Sequence, residues 1–324
     1  MLGGVQVFKL DEAIPLEDKE NDVLAVGELL VDMISNEYGD ASECNGYTRY
    51  FGGSPSNIAI NVGKLGIRSQ VTSAVGRDSL GSFLIRRLQS EGMDTGGIQQ
   101  VEESTSMVVI TKSQATPVPI FYRAADGRLE YTEALEQALI QSRIVHFSCW
   151  PVSRQPSRAA IERVIEVARK HKLLIGFDPN YHPAIWQPGE DGVAYVKALI
   201  PQVDVIKPSE DDAARLFGPG TPEEQMARFL ALGAKLVILT LGKDGALVSN
   251  GQETLALPTK ADMIEDTTGA GDAFWSGFYT AIVKGYTLRK ALESGLAVSA
   301  YKLRYTGAVV ELPALEAVQE EYNL

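Results

Sequence analysis

The chain has 324 residues, enough for two domains or for one large α/β domain with a smaller appendage; 45% hydrophobic and 22% charged residues, with 30 Gly and 15 Pro, exclude fibrous and disordered classes. Thirty Lys and Arg against 42 Asp and Glu leave a net charge of −12, which argues against attraction to nucleic acid or a membrane surface, so any phosphate must be met locally. The two cysteines, Cys44 and Cys149, lack a CxxC partner, and no secretory start or membrane-length apolar run is present, which predicts a soluble, reduced, cytoplasmic protein.

Residues 1–21 form an N-terminal extension that reads either as a strand at 5–10 or as a disordered arm. The apolar run 23–26, closed by Gly27, suits a buried parallel strand, as do 144–147, 173–177, 203–206 and 236–241. Amphipathic stretches such as 158–171 and 224–232 lie between them, His171 serving as a solvated charge at a helix end, and long final helices follow from Gly269. This alternation predicts an α/β fold: a doubly wound, mostly parallel sheet flanked by helices. Two segments interrupt it, 45–51 and 105–123, the second a hairpin turning through Ser-Gln-Ala-Thr-Pro at 113–117. They predict a small β-sheet lid on one edge. The expected division is a large domain from 22–35, 52–104 and 126–324, with the lid from 36–51 and 105–125.

The strongest chemical signal is Asp266-Thr-Thr-Gly-Ala-Gly-Asp-Ala-Phe-Trp-Ser-Gly277, whose Gly269 and Gly271 lead into a helix beginning near Asp272. Backbone N–H groups converging at a helix N-terminus make an anion site. Asp272 there is either a helix N-cap or a general base beside a transferring phosphoryl group. Neither GxxxxGK[ST] nor GxGxxG fits the loop, and no GxSxG or HExxH occurs, which removes P-loop, dinucleotide, esterase and zinc-protease readings. A second Gly-rich turn, Gly52-Gly53-Ser-Pro-Ser-Asn57, opens another helix, where Asn57 is a sugar ligand or a local cap. Asp32, expected at the carboxyl end of the first strand, is a turn residue or a bidentate acceptor for two neighbouring hydroxyls.

GGSPSN near the start and DTTGAGDAFWSGF near the end resemble the paired signatures of the PfkB (ribokinase-like) carbohydrate kinases, with GRDSLG, FDPNY and TLGKDG falling between them in family order. The resemblance covers nearly the whole chain from Val23. It implies phosphoryl transfer from ATP to a sugar hydroxyl, with Asp272 as base and the Gly269, Ala270 and Gly271 amides as anion hole. It further implies that Asp32, Gly52, Gly53, Asn57, Asp178 and Asn180 hold the sugar beneath a lid carrying Phe121 and Arg123. Thr240, Gly242, Gly245 and Ser209 would face the nucleotide.

Mg2+ is implied, and a monovalent cation is left open. Where relatives show Asn-x-x-Glu, this chain has Ser209 and Asp212, so Asp212 would serve the metal through water, while Glu210 and Asp211 read as solvated helix-start acids. His182 stands where many relatives carry Arg, and it cannot make an arginine's planar charged fork.

The stretches 26–32 and 121–126 look most like fructokinases, implying transfer to the 6-hydroxyl of D-fructose. A 2-keto-3-deoxygluconate kinase is the alternative, for which Arg123 is the one nominated cation unless it is merely an exposed lid residue. A non-catalytic, sugar-binding regulatory protein is the third reading. Exposed lid strands imply a homodimer through the lid.

Overall fold

The computed structural model describes residues 8–40, 42–112 and 119–324. In chain order its strands are β1 (Asn21–Val26), β2 (Leu30–Tyr38), β3 (Tyr47–Gly52), β4 (Ser69–Gly76), β5 (Ile98–Val101), β6 (Met107–Lys112), β7 (Ile120–Tyr122), β8 (Ser142–Ser148), β9 (Leu174–Asp178), β10 (Val205–Ile206), β11 (Leu236–Thr240), β12 (Ala246–Ser249) and β13 (Thr254–Leu257). Nine of them make one sheet in the order β13-β12-β11-β10-β9-β8-β1-β4-β5, parallel from β11 to β5 and antiparallel only at the β12 and β13 edge. β1 is buried along its whole length because both faces are covered: Leu24 and Val26 enter one core, Val23 the other. The first core lies under helices Glu133–Ile140 and Ser157–Lys170, the second under Ser54–Lys64, Ala270–Val283 and Leu288–Leu303.

The other four strands form a separate sheet, β3-β2-β6-β7. This lid takes in more of the first segment than expected, because β2 begins at Leu30 and runs through to Tyr38. Asp32 is therefore a lid-strand residue, opposite Tyr50 and Val108, rather than the end of the first sheet strand. The 113–117 turn lies outside the described residues.

From Phe8 onward the N-terminal extension packs on the body. Phe8, Leu10 and Ile14 are buried in the second core, Ala13 bridges Thr287, and Asn250 donates to the Phe8 carbonyl at 2.7 Å. No strand forms at 8–10: the Leu10 and Glu12 carbonyls instead accept from Arg289 N at 2.8 Å and Leu288 N at 2.9 Å, at the start of the Leu288–Leu303 helix.

β4 and β8 flank β1 on opposite sides, so the chain reverses its winding there, and the crevice at the carboxyl ends of β1 and β8 is where an open α/β sheet takes a ligand. The lid rises from that crevice.

Candidate active site

Gly269 caps the Ala270–Val283 helix in the left-handed conformation, φ 74°, and a Cβ there would stand 2.5 Å from Ala308 Cβ. Only glycine satisfies both constraints. The helix thus starts two residues earlier than the sequence suggested. Asp272 is its third residue and does not cap it: its Oδ1 accepts from Ser54 Oγ at 2.6 Å and its Oδ2 from Asn57 Nδ2 at 2.8 Å. Both donors sit in the first turn of the Ser54–Lys64 helix, so the two Gly-rich motifs, more than 200 residues apart, meet at one carboxylate. Burial pushes the Asp272 carboxyl up to about 6 against those hydrogen bonds, with Asp178 adding to the rise and Lys207 opposing it. Asn57 Oδ1 is buried there without a partner.

The Ala270 amide is not available as the motif implied, because it donates to Thr267 O at 3.2 Å. The next amides, of Gly271 and Asp272, are N-terminal helix donors that have no carbonyl one turn back to bond.

Asp32 lies across Gly52, where a Cβ would come within 2.8 Å of its Cγ. Burial, with the Asp272 carboxylate adding to it, raises the Asp32 carboxyl to about 7. Gly53, at φ 113°, faces the Glu28 carbonyl so closely that a side chain cannot be placed. The Glu28 carboxyl is itself a site residue that the sequence did not disclose: buried at the end of β1, it accepts from Ser148 Oγ at 3.0 Å and from Ser54 N at 3.3 Å. Burial raises it to about 8. Its position in Gly27-Glu28, directly after the first strand, was the available signal.

Lys207 carries no signal in its local sequence. Its Nζ is 2.9 Å from Asp178 Oδ2, which accepts from Trp275 Nε1 at 2.7 Å, and it lies 3.2 Å from where a Cβ on Gly271 would be. The pairing spends Asp178 on holding a buried cation at the anion-hole turn, so its carboxylate is not a free sugar ligand. Asn180 follows with φ 38° and is exposed.

At the carboxyl end of β11, Thr240 and Ser209 are drawn together by a parallel bridge, with Thr240 Oγ1 donating to Pro208 O at 3.3 Å. Gly242 and Gly245 form the turn after β11, both at positive φ. Ser209 and Asp212 close a capping box on the Glu210–Phe217 helix: Asp212 Oδ2 accepts from Ser209 N at 2.9 Å and Oγ at 2.7 Å, and its Oδ1 from Tyr181 N at 2.7 Å. That commitment removes Asp212 from the metal role expected of it. Glu210 and Asp211 are exposed first-turn acids, as their sequence suggested.

Arg123 is corrected most sharply, being neither an exposed lid residue nor a free sugar ligand. Its side chain is wholly buried and all five N–H donors are spent: two on Asp126, the others on Ser153 Oγ, Ile185 O and Trp150 O. It fastens the end of β7 to the body. Phe121 lies edge-on to Trp150 at 5.6 Å and to His182 at 5.0 Å. His182 Nδ1 accepts from Ala184 N at 3.2 Å, and burial with the nearby Arg215 lowers its pKa, so the ring is neutral with its other nitrogen carrying the proton.

A buried carboxylate poised near neutrality, beside unpaired helix N-terminal amides and a buried lysine, suits proton removal next to an anion in transfer. Residues 20–315 match the pfkB family of carbohydrate kinases. The chain belongs to that family. It is 57% identical to the ATP-dependent 6-phosphofructokinase of Thermoanaerobacterium thermosaccharolyticum, over 98% of this chain and 99% of the relative. It is 29% identical to the 5-dehydro-2-deoxygluconokinase of Geobacillus thermodenitrificans, over 94% of each. Among solved structures, the Halothermothrix orenii fructokinase superposes with a TM-score of 0.77 at 41% identity, covering 85% of this chain and 97% of that one. A candidate ribokinase II of E. coli, solved with ATP and Mg2+, gives 0.80 at 25% identity over 94% and 99%. The protein is an ATP-dependent sugar kinase.

Among the described residues this kinase has no cluster of three His, Cys, Asp or Glu side chains for a metal, and Asp212 is committed to its helix. Mg2+ is held in such sites largely by nucleotide phosphates and water. Nor do the residues around the anion-hole turn fit a separate monovalent cation, because the Lys302 ammonium already sits on the Asp266 carbonyl at 2.6 Å. No helix among the described residues is long and apolar enough to cross a membrane.

Proposed function

We propose that this kinase phosphorylates a fructose unit, with fructose 6-phosphate as acceptor, and that Asp272 is the base. The observation that carries the chemistry is the Asp272 carboxylate, raised to about 6 between Ser54 and Asn57 at a helix N-terminus. Asp272 takes the proton of the acceptor hydroxyl as that oxygen attacks the γ-phosphorus of ATP, and the bond to the ADP oxygen breaks. The Gly271 and Asp272 amides and Lys207 face the charge on the transferring group. Asp32, across Gly52, accepts from sugar hydroxyls, and the lid carrying Phe121 keeps water from competing as acceptor.

The 57% identity to a 6-phosphofructokinase over nearly the full chain supports fructose 6-phosphate. Free fructose is the second reading, favoured by the 41% identity to a fructokinase and by the neutral His182 at the rim. With Arg123 spent on Asp126, a sugar acid lacks its nominated cation. Initial rates of ADP release with Mg-ATP and fructose 6-phosphate, fructose or 2-keto-3-deoxygluconate separate these acceptors. The highest kcat/KM is expected for fructose 6-phosphate, and a preference for the sugar acid would overturn the assignment. A homodimer through the lid fits the exposed Tyr38, Ile120 and Tyr122 on its strands.

A further inference from the structure

Lys302 lies in the last turn of the Leu288–Leu303 helix with its side chain fully buried. Its Nζ donates to Asp266 O at 2.6 Å and stands 3.9 Å from Asp266 Oδ2. Asp266 opens the anion-hole turn, and its carboxylate accepts from Thr268 N at 2.9 Å and from Gly307 N at 2.7 Å. The turn and the loop after Lys302 are stitched further by Glu265 N to Leu303 O at 2.7 Å, and Ala308 packs against Gly269. A buried ammonium is expensive unless oxygen atoms surround it, and burial does lower the Lys302 pKa while Asp266 and Asp272 resist the fall. Neither sugar nor nucleotide chemistry as described above accounts for a charge at this place.

A monovalent cation tying two loops together does so by exchanging its water for carbonyl and carboxylate oxygens. Here such oxygens already solvate an ammonium delivered by the chain, and a second unit charge on them would be repelled. We propose that Lys302 is the resident cation of the anion-hole turn: it fixes Asp266 and hence the Gly269–Gly271 backbone for phosphoryl transfer, so that turnover needs no bound monovalent ion. This rests on the reading of Asp272 and its turn as the transfer centre. Lys302 is a positioning residue, acting through the backbone it holds.

The test compares kcat of the unaltered enzyme in potassium, sodium and tetramethylammonium salts at equal ionic strength, together with its thermal unfolding in the same salts. Rates within about twofold and an unchanged Tm are expected, whereas a tenfold or greater activation by K+ would overturn the proposal. Lys302→Met should lose about tenfold or more in kcat and recover part of it, with a rise in Tm, when ammonium or K+ replaces tetramethylammonium. Retention of full turnover by this variant would count against Lys302, as would a loss that no small cation repairs. If the variant does not fold, the salt comparison on the unaltered enzyme still decides. Asp272→Asn measured alongside keeps the two ideas apart, since its retention of turnover would sink the base assignment and leave the salt comparison standing.

Discussion

At the scale of single residues, the site is governed by carboxyl groups held out of water. As the proposed base, Asp272 must be ionised to accept a proton, so activity is expected to fall as pH drops through its raised value. With Asp272 at about 6 and Asp32 at about 7, the acid limb of kcat/KM is expected between roughly pH 6 and 7, well above an ordinary aspartate. A profile flat down to pH 5 would contradict this. Arg123 tests a different point. Its removal leaves Asp126 buried without a counter-charge, so Arg123→Ala should cost about 3–5 kcal/mol of stability, read by denaturant unfolding, and should affect sugar and ATP binding alike. A variant of unchanged stability that selectively loses sugar affinity would restore Arg123 as a ligand. The sequence placed Arg123 correctly at the end of a lid strand, but a lone arginine carries no sign of where its five donors go. Asp272 was legible because a Gly-rich helix start makes an acid there conspicuous; Glu28 and Lys207 were not, since their partners Ser148, Ser54 and Asp178 come from distant strands and helices.

At the scale of elements, apolar runs marked β1, β8, β9, β10 and β11, because a strand buried on both faces has no polar alternation to confuse it, but they missed the parallel strands β4 and β5, whose Ser, Thr and Gln residues interrupt the run. Lid boundaries were harder. The stretch Leu29-Leu30-Val31 that leads into β2 is as apolar as β1, so nothing in its composition marks the change of sheet at Leu30. The Ser209 to Asp212 segment shows the converse: its Ser-x-x-Asp spacing is a helix-start signature, and the structure uses it as one. The turn into the Ala270–Val283 helix is the element least tolerant of change. Gly269→Ala forces a side chain into the left-handed region and against Ala308, which should destabilise the protein by about 1–3 kcal/mol and lower kcat more than it raises acceptor KM. Unaltered kcat in that variant would show that the turn does not need this geometry.

At the scale of the whole molecule, the charge of −12 is compatible with handling ATP because the positive character is concentrated in helix amides and in the buried Lys207 and Lys302. Glu28, Asp32 and Asp272 all bind protons more tightly in the folded chain than unfolded. Their burial therefore costs more as pH rises from about 4.5 toward 8, and stability should fall across that interval. Glu28→Gln should flatten the decline in Tm; an equally steep decline would assign it to other groups. Light scattering is expected to give a dimer, and a monomer would exclude pairing through the lid. The central claim is tested most directly by steady-state turnover of Asp272→Asn with Mg-ATP and fructose 6-phosphate. The account predicts a loss in kcat of at least about a hundredfold with acceptor KM nearly unchanged, and turnover near that of the unaltered enzyme would contradict it.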